Sequence, residues 1–159
     1  CLEGVVKLRK LVAGGLMLLL PSALLANFPK NCQPLMTVSE SFTLQADKAD
    51  SLFYIHNESD EKMFVVALNN TGTAAAGWTS SLDKKKWSVL LLNSKRLTFN
   101  CVLSRPGSEY RVPCSSVVKI CEMKGVSGKK ANTSYWAVEN IAFDFIQEKL
   151  AYRGIATKP

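Results

Sequence analysis

Histidine is almost absent from this sequence, and its scarcity removes several common catalytic designs. Only His56 is a histidine among the 159 residues, so a His-based triad has one candidate and a His-Glu-x-x-His zinc site cannot form. The sequence also has no Gly-x-Ser-x-Gly elbow and no phosphate-binding glycine loop. These absences predict a protein with no catalytic residues, no cofactor and no metal.

Long apolar runs are also scarce, and the longest lies close to the amino terminus. Leu11 to Leu20 is uncharged, follows three basic residues and ends at Pro21, whereas a membrane span needs about 20 apolar residues. The pattern predicts a cleaved signal peptide over residues 1–26, cut after Ala26, with a cut after Ala23 as the alternative. Because the first residue is Cys rather than Met, the sequence leaves open whether this leader is complete.

Residues 27–159 are predicted to form a single exported domain, periplasmic or secreted, with no transmembrane span after cleavage. The leader carries three basic residues and one acidic residue, which leaves +5 of the total net charge of +7 on this domain. The only dense basic cluster is Lys84, Lys85 and Lys86. Together with Trp78 it is the predicted binding surface, and export argues against nucleic acid as its partner.

Cys-x-x-Cys pairs are absent, which argues against a structural zinc site. Four cysteines follow the leader, Cys32, Cys101, Cys114 and Cys121, at intervals of 69, 13 and 7 residues. An even number in an exported chain predicts two disulfides, for which three pairings are possible. A regular hairpin centred on Gly107-Ser108 would place Cys101 opposite Cys114 and leave Cys32 for Cys121. A shift of this turn by half a residue would change the register, so the pairing stays open.

Short apolar runs separated by turn residues predict a mainly β domain, an antiparallel β-sandwich stapled by disulfides. The predicted strands are Met36–Leu44, Leu52–Ile55, Met63–Leu68, Trp87–Leu92, Leu97–Leu103, Ser115–Cys121 and Tyr135–Val138. The polar segment 56–61 predicts a hairpin between the second and third of these, and Pro106-Gly107 predicts a turn. Trp87–Leu92 is continuously apolar and is expected to be covered on both faces. Trp87 and Phe99 are expected in the core.

The hydrophobic period changes after Asn140. Apolar residues at Ile141, Phe145, Ile146 and Leu150 predict one amphipathic helix from about Ile141 to Arg153, packed on the sheet. Asn140 is expected to cap its start and Gly154 to end it.

A pair of carboxylates is the one enzymatic design that the composition leaves open. Glu109 with Glu122 or Glu139 could cut a glycosidic bond if the two groups lay ~5 to ~9.5 Å apart across a cleft. Thirteen acidic residues make chance pairs easy, so an enzyme acting on envelope glycans remains the alternative prediction.

The central stretch resembles the enhanced-entry protein B family, small exported proteins of intracellular bacterial pathogens. The resemblance covers about Ala76 to Asn140, and it is carried by Ala76-Gly77-Trp78-Thr79-Ser80-Ser81-Leu82, Trp87-Ser88, Phe99 to Glu109, Val112-Pro113-Cys114, Cys121 and Tyr135 to Asn140. It implies a bacterial host and a contribution to host-cell entry, and it implies no catalytic residues. The main prediction is therefore an exported, non-catalytic envelope or interaction protein.

Overall fold

The structure, a computed structural model, describes residues 28–37, 39–46, 50–93, 96–124, 126–128 and 134–157, and the predicted leader lies outside them. The described residues form twelve strands: β1 (Gln33–Leu35), β2 (Ser41–Gln45), β3 (Ser51–Asn57), β4 (Lys62–Leu68), β5 (Ala74–Leu82), β6 (Trp87–Leu92), β7 (Arg96–Arg105), β8 (Ser108–Val112), β9 (Val118–Lys124), β10 (Ser127–Gly128), β11 (Tyr135–Ile141) and β12 (Ile155–Ala156). One α-helix, α1 (Ile146–Tyr152), and short 3-10 turns at Cys114–Ser116 and Phe143–Phe145 complete the described elements. The prediction of a mainly β fold with one carboxy-terminal helix is confirmed.

Sheet I has five antiparallel strands in the order β1-β9-β3-β6-β11. Its strand β6 is buried at every position, as its uninterrupted apolar run predicts for a strand covered on both faces. Pro34 lies in the edge strand β1, where its missing N–H does not break the ladder of an inner strand.

Sheet II is antiparallel in the order β2-β7-β4-β5, and β8 pairs with the same strand, β7, as β2 does. β2 pairs with the first half of β7 and β8 with its second half. Burial alternates along β4 and β2, so one face of this sheet points inward and the other outward.

The inner faces of the two sheets pack on each other as a β-sandwich. Its core contains Phe42, Leu44, Phe53, Ile55, Met63, Val65, Leu90, Leu92, Phe99, Cys101, Cys114 and Ile120, among others. Phe99 stacks on Phe42 with 5.2 Å between ring centroids and meets the edge of Trp136 at 5.9 Å. The predicted sandwich and the predicted place of Phe99 in its core are confirmed.

The outer face of sheet I is covered by a second apolar cluster. Helix α1 lies on it through Ile146 and Leu150, and β12 adds Ile155. Trp87 belongs to this cluster and is 5% exposed. The helix is shorter than predicted because Phe143–Phe145 form a 3-10 turn, although Gly154 does follow its end with φ of 72°.

Asn140 does not cap the helix. It is part of β11 with a positive φ of 48°, and its side chain turns to Asp83. Its Oδ1 accepts a hydrogen bond from the Asp83 backbone N–H at 2.7 Å, and its Nδ2 donates to Asp83 Oδ2 at 3.1 Å.

Two disulfides join Cys32 to Cys121 and Cys101 to Cys114, with Cα separations of 5.4 and 5.2 Å. The first lies on the covered side of sheet I and the second in the core of the sandwich. The turn of the β7–β8 hairpin is Pro106-Gly107, because Arg105 pairs with Ser108, so Cys101 faces Val112. Cys114 reaches Cys101 from the 3-10 turn that follows β8, rather than from a position directly opposite in the hairpin.

Two further local predictions are wrong. Residues 56–61 do not form a hairpin, because β3 lies in sheet I and β4 in sheet II; the segment is an arch between the sheets. The strand predicted over Met36–Leu44 is divided, since β1 ends at Leu35 and β2 begins at Ser41. Met36, between them, is 88% exposed.

Candidate interaction site

One end of the sandwich carries two neighbouring arches, residues 57–62 between β3 and β4 and residues 82–87 between β5 and β6. We call it the arch end. Asn57 is fully buried there and joins the two arches. Its Nδ2 donates to the carbonyl oxygens of Glu61, Leu82 and Asp83 at 2.8 to 3.1 Å, and its Oδ1 accepts from Ser59. Because a buried amide left without these partners would be costly, Asn57 fixes both arches relative to each other.

His56 lies next to this junction on the outer face of sheet I. Its Nδ1 is 2.6 Å from Glu58 Oε1, and its Nε2 is 3.2 Å from the carbonyl oxygen of Lys85. The ring packs against that of Trp87 with 4.4 Å between the centroids and a tilt of 30°, and Lys119 Nζ lies 3.5 Å from the second Glu58 oxygen. Both ring nitrogens are engaged by the protein, so the histidine acts as a structural contact between the arches.

The predicted binding lysines form the turn of the second arch, Asp83–Lys86, which we call the lysine turn. Lys84 is exposed and Lys86 is half-buried. Lys85, with a positive φ of 58°, donates to the Glu58 carbonyl oxygen, and its Nζ lies 3.5 Å from Asp60 Oδ1. The turn is therefore held to the neighbouring arch while Lys84 points into solvent.

Trp78, the fourth predicted binding residue, is in a different place. It follows Gly77, whose positive φ of 78° lies in an irregular part of β5. The indole is half-buried and packs against the sandwich core. Trp78 is the central residue of β5 and the lysine turn follows the last one, so four residues of extended strand lie between Trp78 and the turn. A Cβ on Gly77 would meet nothing within 4 Å, so the glycine serves backbone conformation and not a close approach.

A second polar cluster lies near the turn of the β7–β8 hairpin. Arg105 donates two hydrogen bonds to the Glu61 carboxylate, and the Tyr110 hydroxyl donates to it at 3.1 and 3.2 Å. The hydrogen bond from Arg105 lowers the pKa of Glu61, and the same contact raises the pKa of Arg105. Partial desolvation and the bond to Glu61 raise the pKa of Tyr110. The three groups satisfy one another and fasten the hairpin to the first arch.

The carboxylates proposed for glycosidic chemistry are dispersed. Glu109 is on β8 in sheet II, whereas Glu122 is on β9 and Glu139 on β11 in sheet I. Glu122 lies towards the end of sheet I away from the arches and accepts a hydrogen bond from Ser51 at 2.9 Å. Glu109 pairs with Ser104, whose other partner is Lys62 at the arch end. Strands β8 and β11 are at opposite sides of the sandwich.

The outer face of sheet II is a feature that the sequence reasoning missed. Three successive outward side chains of β4 are apolar and half-buried, Phe64, Val66 and Leu68; we call them the β4 stripe. Val102, also half-buried, pairs with Phe64 from β7. The signal was available, because Met63–Leu68 is apolar at both parities and not only at the inward one.

Within the described part of the chain, no group of three or more His, Cys, Asp or Glu residues is placed to hold a metal ion. Among the same residues, no helix is both long and apolar enough to cross a bilayer. The described residues line a surface cleft of about 250 Å³ between β1 and β2 and another of about 250 Å³ between β11 and α1. Neither is lined by Trp78 or the lysine turn. Comparisons with protein-family models, curated proteins and solved structures found no match.

Proposed function

We propose that this protein is an exported, non-catalytic interaction protein that attaches to an anionic envelope or host-cell surface through the lysine turn. The observation that carries the proposal is the fixed geometry of the turn. Asn57, His56 and Asn140 each hydrogen-bond to residues 83–86 from another part of the chain. A turn ordered before binding loses less conformational entropy on contact with its partner.

The two disulfides support a location outside the reducing cytosol, periplasmic or secreted. The predicted signal peptide agrees with this location. The resemblance to the enhanced-entry protein B family adds host-cell entry as the setting in which such a protein would act.

The site chemistry favours binding over catalysis. His56, Glu58 and Glu61 are all engaged in contacts within the arches and the adjoining hairpin. The separate placement of Glu109, Glu122 and Glu139 gives the glycan-cleaving alternative less support.

The test removes two positive charges from the lysine turn and keeps the contacts that hold the turn in place. The double variant Lys84→Ser with Lys86→Ser keeps Lys85, whose contacts hold the turn. Each lysine near an anionic surface contributes about 1 kcal/mol, so attachment to anionic vesicles or envelope fractions should weaken by roughly 30-fold at low salt.

The matched control is Lys124→Ser with Lys149→Ser, which removes the same charge from β9 and α1. It should change attachment much less. Equal weakening by both double variants would mean that total charge and not the lysine turn mediates attachment. Unchanged attachment of the first variant, with its fold intact, would contradict the proposal.

A further inference from the structure

We propose that His56 is a pH-dependent contact between the two arches: it holds the lysine turn when its ring carries two protons, and the contact weakens when the ring carries one. Attachment through the lysine turn should therefore be strongest under mildly acidic conditions. This regulation of attachment rests on the proposed function, whereas the pH-dependent contact itself does not.

The ring of His56 lies between two hydrogen-bond acceptors. Its Nδ1 is 2.6 Å from Oε1 of Glu58, and its Nε2 is 3.2 Å from the carbonyl oxygen of Lys85. A carbonyl oxygen and an ionised carboxylate accept hydrogen bonds but cannot donate them, and a neutral imidazole carries a single N–H. A neutral ring beside an ionised Glu58 therefore leaves one of the two contacts without a proton, whereas an imidazolium ion satisfies both.

Two neighbours favour the ring as the carrier of the extra proton. A proton on Glu58 would give the same total, because a carboxyl group can donate to Nδ1 while Nε2–H donates to Lys85. However, Lys119 Nζ lies 3.5 Å from Oε2 of Glu58, and its positive charge stabilises the ionised carboxylate. The indole of Trp87 lies 4.4 Å from the imidazole, centroid to centroid, and an indole face attracts a cation at this range.

Histidine is the side chain whose charge ordinarily changes near neutral pH. It loses its proton between about pH 5 and 8, whereas carboxyl groups ordinarily do so at lower pH and lysines at higher pH. The charged residues of the elements that neighbour His56 are Glu58, Asp60, Glu61 and Lys62 of the first arch, Asp83, Lys84, Lys85 and Lys86 of the lysine turn, Lys119 of β9, and Asp144 beside Phe143, which packs on Trp87. None of them is a second histidine, so a change in the turn over this pH range reports on His56.

Loss of the proton weakens the bond to Lys85 rather than the bond to Glu58. A hydrogen bond to a carboxylate is stronger than one to a carbonyl oxygen, so the remaining proton stays on Nδ1. Nε2 then presents a lone pair to the Lys85 carbonyl oxygen. Asp83, at the start of the turn, stays bound to Asn57 and Asn140. The weakening should therefore concentrate in the second half of the turn.

Amide hydrogen exchange of the purified, disulfide-bonded protein tests the proposal at Lys86, whose N–H donates to the Asp83 carbonyl oxygen at 3.1 Å. After correction for the intrinsic effect of pH on exchange, protection of this amide should be about five-fold greater at about pH 5 than at about pH 8, as expected for one hydrogen bond. The change should follow the titration of the ring measured by NMR. Its signals need no assignment, because His56 is the one histidine of the chain.

Two variants should move the turn in opposite directions. Glu58→Gln puts an amide beside Nδ1, and this amide can donate to a neutral ring whose Nε2–H donates to Lys85, so protection at Lys86 should stay high at both pH values. His56→Gln cannot gain a proton, so protection should stay low at both. Asp60→Asn is the matched control: it removes a carboxylate that lies 3.5 Å from Lys85 Nζ, and it should keep the pH dependence of the wild type.

Attachment to anionic vesicles at constant ionic strength separates this proposal from the proposed function. Attachment of the wild type should weaken from the lower to the higher pH. A protein that does not attach at either pH, but whose protection at Lys86 changes with pH, overturns the proposed function and leaves the His56 contact in place. Attachment that ignores pH while protection changes overturns the regulation.

Equal protection of Lys86 at both pH values in the folded wild type overturns the His56 contact, whatever attachment shows. A pH dependence of this protection that persists in His56→Gln or in Glu58→Gln also overturns it. If one of these two variants fails to fold, the wild-type profile and the other variant still decide the question.

Discussion

The outer faces of the two sheets differ in how far the chain covers them. On sheet I, residues from both described ends of the chain bury the face: Cys32 and Phe28 at one end, Ile146, Leu150 and Ile155 at the other. On sheet II the β4 stripe stays half-exposed and is bordered by serine, threonine and asparagine. The comparison teaches that apolar residues at both parities of a strand do not guarantee two covered faces, because β6 is buried at every position and the β4 stripe is only half-buried.

The largest expected effect is on the free energy of unfolding, and it comes from loss of the Cys32–Cys121 disulfide on the covered outer face of sheet I. Substitution of both Cys32 and Cys121 by Ala opens a loop of 89 residues, and the same change at Cys101 and Cys114 opens one of 13. Loop entropy then predicts losses in the free energy of unfolding of about 4.6 and about 2.9 kcal/mol. Urea denaturation of the two double variants measures the difference. Equal losses, or the reverse order, would show that the covered face does not depend on this bridge.

The next effect compares one apolar side chain on each face. Leu150 is fully buried, so Leu150→Ala should lower the free energy of unfolding by about 3 kcal/mol. Val66 is half-exposed, so Val66→Ala should cost about 1 kcal/mol or less. Urea denaturation checks both values. A cost at Val66 that matches Leu150 would remove the contrast between the faces.

The smallest expected effect is on the stability at alkaline pH, and it concerns the ionisation of Tyr54 on the covered outer face of sheet I. Burial raises the pKa of Tyr54, and the hydrogen bond from Gln147 opposes this only in part. The folded protein thus keeps a proton that the unfolded chain releases above a pH of about 10, so stability falls as the pH rises past that value. Tyr54→Phe should reduce this alkaline loss, measured as the unfolding free energy between about pH 9 and 11.

Tyr110, whose pKa is also raised, supplies the comparison on sheet II. Tyr110→Phe should remove a separate share of the same alkaline loss. If Tyr54→Phe leaves the alkaline loss of unfolding free energy unchanged, the ionisation of Tyr54 does not contribute to that loss.

Most strands could be predicted from the sequence, but their distribution between the sheets could not. The apolar run Met63–Leu68 identifies β4 as a strand, and this run is the same whether the preceding segment is a hairpin or an arch. The arch depends on Asn57, whose hydrogen bonds reach Leu82 and Asp83, 25 and 26 residues away. Such contacts leave no local pattern. The sequence around Asn140 predicts a helix cap for the same reason, since its actual partner, Asp83, is 57 residues away.

The candidate site could be predicted in part. The position of the lysine turn follows from Lys84-Lys85-Lys86 alone, but the contacts that fix it come from His56 and Asn57 in the other arch. Trp78 is only six residues from Lys84 in sequence. An extended strand separates them in space, because each residue of β5 adds about 3.3 Å.

The nested order of the disulfides bears on how the chain matures. If the proposed export proceeds amino end first, Cys32 would leave the cytosol before the other cysteines of residues 27–159, and Cys101 would be the next to appear. Oxidation in order of emergence would join these two and trap the wrong isomer, which exchanges only slowly. Closure of the β7–β8 hairpin before the other strands pair would bring Cys114 to Cys101 and leave Cys32 for Cys121, the pairing found in the structure. The yield of native protein should therefore depend on the disulfide isomerase capacity of the compartment that receives it.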